Sequence, residues 1–155
     1  GIGFDGAVAK GLQGVNKFGG KTSFMLAVLK HILFYKEQQY IISSAEKKVE
    51  GKFMMISIAN GTRYGGGFFV APLAKSDDGL FDTILVKPLS VFKRLRYLPV
   101  IEKGKHLSLP FIDYYNTQKI TITSDQPIQS HLDGEYLESN EFTIEILPAH
   151  FNFIF

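Results

Sequence analysis

The chain has 155 residues, 45% of them hydrophobic, which is enough for one globular domain with its own core. A formal net charge of +2 is too small to indicate nucleic-acid binding, and the absence of cysteine excludes disulfides and thiolate metal sites. No apolar run in the sequence reaches the roughly 18 residues that a membrane span needs, and the absence of cysteine fits a cytoplasmic protein.

The first half of the chain predicts one main helix followed by strands. Residues 1–20 are rich in glycine and show little periodicity. Thr22 or Ser23 can cap a helix that runs to about Glu37. Asn60-Gly61 is the strongest hairpin signal, because both central residues of a type I′ turn need positive φ. Strands rich in isoleucine, valine and aromatic residues are predicted over 40–43, 52–59 and 68–71.

The second half predicts a β-rich structure interrupted by a short helix. Residues 76–79 form a turn, and the strand that follows over 81–87 ends at Pro88. Ser90 caps a basic helix over 91–98, which Pro99 stops. Further strands are predicted over 106–110, 119–124, 128–132, 142–147 and 150–155. The fold class is therefore mainly β: an antiparallel β-sandwich or distorted barrel with one main α-helix.

Three patterns that imitate known sites are not expected to be functional. Residues 1–6 contain Gly-x-Gly-x-x-Gly, but no strand precedes them and no acidic residue lies about twenty positions on. Residues 20–22 imitate the end of a P-loop, yet Val15 occupies the place of its first glycine. The four histidines show no His-x-x-x-His spacing, which argues against a zinc site.

The segment from 87 to 105 is basic and aromatic. On a short helix it could lie on an anionic membrane, with its apolar side among the headgroups. It could equally be a solvated connection whose apolar side packs on the sandwich. The residues leave both readings open. Its cationic residues are Lys87, Lys93, Arg94, Arg96, Lys103 and Lys105.

Several short motifs, none specific alone, occur together in a fixed order. In this order and spacing the chain resembles the C-terminal domain of the diacylglycerol kinase catalytic family, which includes bacterial diacylglycerol kinases, related lipid kinases and sphingosine kinases. The resemblance covers nearly the whole chain, and its middle block is the most specific part. The motifs are Gly-Phe-Asp-Gly at 3–6, Ala-Asn-Gly-Thr-Arg-Tyr-Gly-Gly-Gly at 59–67, Ala-Pro-Leu-Ala at 71–74, Asp-Asp-Gly-Leu-Phe-Asp at 77–82, His-Leu-Asp-Gly-Glu at 131–135 and Ile-Glu-Ile-Leu-Pro-Ala at 144–149.

The resemblance implies a two-domain lipid kinase of which this chain is the second domain. In that family an N-terminal α/β domain holds ATP with a Gly-Gly-Asp-Gly-Thr loop, and no such loop occurs here. Residues 1–155 are then a single β-sandwich domain, a fragment inactive by itself. The intact protein would use ATP and Mg²⁺ to phosphorylate the hydroxyl of a lipid such as diacylglycerol. It would lie peripherally on the cytoplasmic side of the membrane, and a homodimer is left open.

The resemblance also assigns site residues. Glu135 matches the proton acceptor, which must lie within hydrogen-bond reach of the lipid hydroxyl. Asp78 matches a Mg²⁺ ligand, completed by the backbone carbonyls of Lys75 and Leu80, and such oxygen ligands suit this ion. Without the resemblance, 133–135 would be an exposed hairpin tip, and Asp78 would bond its own backbone in an Asp-Gly turn.

Two alternatives belong to other classes. One is a non-catalytic lipid-binding or membrane-docking module that uses the same apolar interior and the basic segment around Arg94. The other is an NAD kinase-like domain, because that group shares the two-domain plan. The residues assign no role to Asp5 or to the three glycines at 65–67, which most simply mark a bulge or a close backbone crossing.

Overall fold

The computed structural model describes residues 1–13 and 20–148. Its helices are α1 (Phe4–Leu12), α2 (Gly20–Phe34) and α3 (Val91–Glu102). Its strands are β1 (Ile2–Gly3), β2 (Gln38–Ser44), β3 (Lys48–Phe53), β4 (Met55–Ala59), β5 (Phe81–Val86), β6 (Ile112–Thr117), β7 (Lys119–Leu132) and β8 (Glu135–Glu145).

The described strands form one antiparallel sheet in the order β3-β2-β7-β1-β4-β5-β6, with β8 added to β7. Strands β3 and β6 lie at opposite ends of this order, yet the two ends are close in space. Lys47 in the β2–β3 turn forms an ion pair with Asp113 of β6. The same ammonium group lies 5.4 Å from the centre of the Tyr115 ring. The sheet therefore curls into a half-barrel, which confirms the predicted mainly β fold.

Both faces of the central strands are buried. Along β4 and β5, neighbouring residues alternate between two clusters: Met55 and Ile84 belong to the first, and Ile56 and Leu85 to the second. The first cluster lies under the helices and includes Val28 and Ile32 of α2, whereas the second contains only sheet residues. This explains why β5 is buried almost throughout, as is typical of strands covered on both sides.

The first twenty residues contain structure that the sequence did not predict. Strand β1 joins two distant parts of the sheet, because Ile2 pairs with both Ile56 of β4 and Ser130 of β7. Helix α1 then packs so closely on β7 that a Cβ on Gly6 would lie 2.3 Å from the carbonyl oxygen of Gln129. Glycine is a poor helix former, and this contact explains why it is needed here.

The prediction of a type I′ turn at Asn60-Gly61 is wrong. Neither residue has positive φ, and β4 pairs with β1 and β5 instead of with the segment after it. The predicted strand at 68–71 is reduced to a single bridge between Tyr64 and Phe68. A hairpin needs a partner strand as well as suitable turn residues, and here β4 has both neighbours already.

Helix α3 is longer than predicted. Pro99 lies inside it, and the helix ends only at Glu102. Its end is a Schellman motif, in which the N–H of Lys105 donates to Val100 O at 3.0 Å and Gly104 has φ 68°. Ser90 is the N-cap residue as expected, but its side chain makes no capping hydrogen bond. Proline removes one helix hydrogen bond, and packing against the rest of the domain outweighs that loss.

Strand boundaries also differ from the predictions. The strand at 52–59 is split between β3 and β4, and the strands at 119–124 and 128–132 form one strand, β7, interrupted by an irregularity between Thr123 and Ile128. No strand forms at 106–110, and β6 was not predicted. Helix α2 ends at Phe34, before the predicted end at Glu37. The predicted strand at 150–155 lies outside the described residues.

Candidate active site

Glu135 lies at the end of the β7–β8 hairpin. Asp133 and Gly134 form its two-residue turn with φ values of 49° and 94°, and Leu132 pairs with Glu135 across it. Positive φ at both central positions is the requirement of a type I′ turn, so the motif forms the hairpin that its residues favour. The Glu135 side chain is exposed at the first position of β8.

The hairpin tip forms one wall of a groove of about 1100 Å³. Helix α1 forms another wall, and the loop after β4 forms a third. All three main motifs of the sequence therefore meet in one place: residues 4–5, 58–61, 63–66 and 131–136 line this groove. Strand β1 brings them together, because it pairs with β4 and with β7 directly before α1 begins.

Asp5 and Tyr64 form a hydrogen-bonded pair inside the groove. The Tyr64 hydroxyl donates to Asp5 Oδ2 at 2.7 Å. Burial of this hydroxyl and the negative charge of Asp5 raise the pKa of Tyr64 well above its usual range, so it acts as a donor at neutral pH. Sequence reasoning missed Tyr64, whose only local signal is its position directly before three glycines.

His131 is the second residue of the groove that sequence reasoning missed. Its ring centre lies 5.7 Å from that of Tyr64, with the ring planes tilted by 58°. Burial lowers the pKa of His131, while the negative charges of Asp5 and Asp133 oppose the shift. The imidazole is therefore predominantly neutral at pH 7.

An apolar cavity of about 70 Å³ adjoins the groove. The two spaces share part of their lining, including Phe4, Asp5 and Tyr64. Beyond these residues the cavity extends between α2, α3 and the sheet, where Ile32 and Val86 form part of its wall. The groove thus places polar side chains next to an apolar cavity, an arrangement that suits an amphipathic ligand with a polar head and an apolar part.

The three glycines at 65–67 have φ values of 58°, 76° and 98°. A Cβ on Gly66 would lie 3.0 Å from the Phe24 ring, so the loop can pass close to α2 only without a side chain at this position. The first two of these glycines line the groove. This agrees with the close backbone crossing predicted from the sequence.

The residues predicted to bind Mg²⁺ lie apart from the groove, since Lys75, Asp78 and Leu80 are not among its lining residues. Asp78 is exposed, and its Oδ1 accepts a hydrogen bond from the Leu80 N–H at 3.0 Å. Nearby, burial raises the pKa of Asp82, and the charge of Asp78 contributes to the increase.

Asp78 offers one carboxylate to a cation. Burial is the main cause of the raised pKa of Asp82, and a cation beside Asp78 would offset the smaller contribution from the Asp78 charge. Within 1–13 and 20–148 no group of three His, Asp or Glu side chains could hold a metal ion. A site with one carboxylate, backbone carbonyls and water would suit Mg²⁺, which commonly keeps several waters.

Arg94 is not available to an external phosphate, contrary to the sequence-based docking hypothesis. Its side chain is buried, donates to Ile32 O at 3.0 Å and Tyr35 O at 2.9 Å, and forms an ion pair with Glu37 at 2.5 Å. It also donates to Leu89 O at 2.8 Å. Because these acceptors include carbonyls of the last turn of α2, Arg94 fastens α3 to the end of α2.

The described part of the chain contains no helix that is long and apolar enough to cross a membrane. Its longest described helix, α2, has 15 residues.

The curled antiparallel sheet with helices on one side places the chain in the class of β-sandwich-like domains. The sequence matches the family described as the YegS C-terminal NAD kinase beta sandwich-like domain over residues 1–155, and the chain belongs to this family. This confirms the resemblance to the diacylglycerol kinase catalytic family.

Relatives and solved structures agree with this assignment. The chain is 28% identical over 138 residues to a protein of Xanthomonas axonopodis pv. citri and 29% identical over 137 residues to one of Shewanella frigidimarina, both named "Probable lipid kinase YegS-like". Each match covers 88% of this chain but only 45% and 44% of the relative. The chain therefore spans less than half the length of these two relatives.

A crystal structure of a diacylglycerol kinase from Bacillus anthracis str. Sterne is similar to 79% of this chain, with a TM-score of 0.58 and 21% identity, and the match covers 44% of that structure. Another structure from the same organism reaches a TM-score of 0.66 at 23% identity, covering 83% of this chain and 44% of the other. At these identities the likeness shows the fold.

Proposed function

We propose that this chain is the C-terminal domain of an ATP-dependent lipid kinase that phosphorylates the hydroxyl of a lipid such as diacylglycerol. The observation that carries the proposal is the groove, in which Glu135 shares the lining with the Asp5–Tyr64 pair and which adjoins the apolar cavity. Such a lipid has an uncharged polar head for the groove, and the cavity of about 70 Å³ could take a short part of its apolar chain.

The proposed chemistry needs one base from this domain. Glu135 takes the proton of the lipid hydroxyl as that oxygen attacks the γ-phosphorus of ATP. The new oxygen–phosphorus bond forms as the bond to the β,γ-bridging oxygen breaks, and ADP leaves with that electron pair. An N-terminal domain of the same protein would hold ATP, because the Gly-Gly-Asp-Gly-Thr loop that does so in the family does not occur in this sequence. Positioning and charge neutralisation supply most of the rate.

A phosphotransfer assay tests this function. We expect the two-domain protein to transfer the γ-phosphate of ATP to dioleoylglycerol in detergent micelles, and the 155-residue chain alone to show no turnover. NAD is the comparison acceptor, because it lacks a hydrocarbon chain for the cavity lined by Ile32 and Val86. Phosphorylation of NAD instead of the lipid, or clear activity of the isolated chain, would contradict the proposal.

Mg²⁺ is proposed to bind beside Asp78, with the carbonyls of Lys75 and Leu80 as further ligands. When bound, the ion would supply local charge neutralisation and order this loop. Saturating Mg²⁺ at about 100 times its Kd is expected to stabilise the chain by about 2.7 kcal/mol. Thermal unfolding with and without Mg²⁺ measures this effect. Asp78→Asn should abolish it, while Asp77→Asn, at the neighbouring exposed residue, should retain it; equal responses of both variants would exclude this site.

Peripheral attachment to an anionic membrane is proposed for the surface formed by α2 and α3. These helices contact each other, and their inner sides wall the apolar cavity. Their outer sides carry exposed apolar side chains together with exposed cations, a combination that suits anionic lipid headgroups. The apolar residues are Leu26, Leu29, Leu33, Phe34, Val91, Phe92 and Leu95, and the cations are Lys30, Lys36, Lys93 and Arg96.

Charge introduced into this surface is expected to weaken membrane binding. Phe34 and Phe92 are each 73% exposed, so the double variant Phe34→Glu/Phe92→Glu should still fold. Losing insertion of two phenylalanines should reduce binding to vesicles of phosphatidylcholine and phosphatidylglycerol by at least about tenfold. Vesicle sedimentation measures the effect, and Leu137→Glu, on β8, is the control. A double variant that binds like the control would remove the docking proposal.

A further inference from the structure

His131 connects the turn that carries Glu135 to the opposite side of the groove. Its backbone is held in the sheet, where its N–H donates to Gly1 O at 2.8 Å. Its ring Nδ1 accepts a hydrogen bond from the backbone N–H of Gly134 at 3.4 Å. Because Nδ1 is the acceptor, the single proton of the neutral ring lies on Nε2.

The other side of the imidazole ring faces Asp5 and Tyr64. A Cβ built on Gly1 would lie 2.6 Å from His131 Nε2 and 2.8 Å from Asp5 Oδ2, so both atoms border the same small space. The Tyr64 ring packs against the imidazole, and its hydroxyl is bonded to the same carboxylate oxygen. The imidazole thus lies between the Asp5–Tyr64 pair and the turn.

The turn lies beyond the sheet, so this contact adds to the local preference of Asp133 and Gly134 that forms it. The last pair of the β7–β8 ladder is Leu132 with Glu135, and a Cβ on Gly134 would meet nothing within 4 Å. A base must be held in a defined position to act, since a displacement of about 1 Å can cost on the order of 100-fold in rate. The His131–Gly134 hydrogen bond is the side-chain contact that holds the turn from inside the groove.

We propose that His131 is a positioning residue: its neutral Nδ1 holds the Asp133–Gly134 turn, and thereby fixes the position of Glu135 in the groove that it lines together with Asp5 and Tyr64. The inference rests on the proposed function, in which Glu135 is the base. Protonation of the ring would turn Nδ1 from an acceptor into a donor and break the hydrogen bond to Gly134. The base would then lose its support as the pH falls.

The charged groups around the ring define the pH range. Asp5 of α1 and Asp133 of the turn favour the protonated ring, whereas burial favours the neutral one. Tyr64 packs on the ring from the loop after β4 and Glu135 lines the same groove. Burial is the largest of these influences, so the histidine titrates below its ordinary pKa of 6.5. The turn is held at neutral pH and released on the acid side.

Two substitutions in the two-domain protein distinguish the role of the hydrogen-bond acceptor of His131 from the role of its side-chain volume. His131→Asn keeps an acceptor near the place of Nδ1 that cannot be protonated, whereas His131→Leu keeps the volume and removes the acceptor. With dioleoylglycerol as acceptor, we expect His131→Leu to lower kcat by at least about tenfold while leaving KM for ATP within about twofold. His131→Asn should keep most of the wild-type kcat. The fall of kcat at acid pH that follows protonation of His131 should be absent from its pH profile. Wild-type kcat in the leucine variant, or equal losses in both variants, would overturn the inference.

A second measurement does not depend on activity. Histidine ¹⁵N NMR should show the His131 proton on Nε2 at neutral pH. The protection of the Gly134 amide from exchange, relative to an unprotected amide at the same pH, should fall as the ring becomes protonated. In His131→Asn that fall should be absent. The wild-type protein could phosphorylate no lipid while exchange of the Gly134 amide still depends on the protonation state of His131. The proposed function would then be wrong, but the contact between His131 and the turn would be confirmed. If Gly134 exchange is independent of the ring, the inference fails whatever the activity.

Discussion

Glu135→Gln is expected to remove nearly all phosphotransfer by the two-domain protein while leaving the fold unchanged. Glutamine has the same shape but cannot accept the proton, and loss of a general base costs about 10²–10⁴-fold in rate. The side chain is exposed at the hairpin tip, so its replacement leaves the core intact. Initial rates with dioleoylglycerol and ATP measure the effect, and circular dichroism checks the fold.

Glu141→Gln is the matched control, because Glu141 is also an exposed glutamate of β8 but does not line the groove. It should retain the wild-type rate. The KM values for ATP and lipid should change little in Glu135→Gln, since the proposed role is in the chemical step. A Glu135→Gln enzyme with more than about a tenth of the wild-type kcat would show that Glu135 is not the base.

Arg94→Met is expected to produce the largest loss of stability. The substitution keeps most of the volume but removes the donors to Ile32 O, Tyr35 O and Leu89 O, and it leaves the Glu37 carboxylate without its cation. Breaking a buried ion pair by removing one partner costs about 3–5 kcal/mol. Urea unfolding of the chain should show a lower midpoint with an unchanged slope.

Lys93→Met is the control for this prediction, because Lys93 is the exposed neighbour of Arg94 on α3. It should leave the unfolding midpoint close to that of the wild type. The same pair of variants separates stability from docking, because Lys93 belongs to the cationic part of the proposed membrane surface and Arg94 does not. Arg94→Met and Lys93→Met with the same midpoint would mean that the link between α2 and α3 contributes little.

The features predicted best from the sequence depend on neighbouring residues alone. In β7, Ile120 and Ile122 are buried as their alternation with threonine predicts. The Asp133-Gly134 turn forms as its residues favour, because positive φ is a local property of the backbone. Asn60-Gly61 carries the same local signal and fails, because the strand before it pairs with β1 and β5 instead.

The candidate site was only partly predictable. Glu135 was assigned from a resemblance, and the groove around it agrees with that assignment. Tyr64 and His131 lie within the motifs at 59–67 and 131–135 but received no role, because nothing in the local sequence shows that their side chains meet. They come together through β1, where Ile2 pairs with one strand near residue 56 and another near residue 130. The pattern of residues within one segment gives no information about which distant strand it pairs with.

For this protein, the sequence alone determined the mainly β class, the hairpin tip with its glutamate and the presence of an apolar helix, because propensity, alternation and turn chemistry act over a few residues. Only the tertiary structure decided that Arg94 is a buried link instead of a lipid contact, that Gly6 lets α1 lie on β7, and that the Asp5–Tyr64 pair faces an imidazole beside the turn. Burial and proximity decide these roles, and both depend on which distant segments the folded chain brings together.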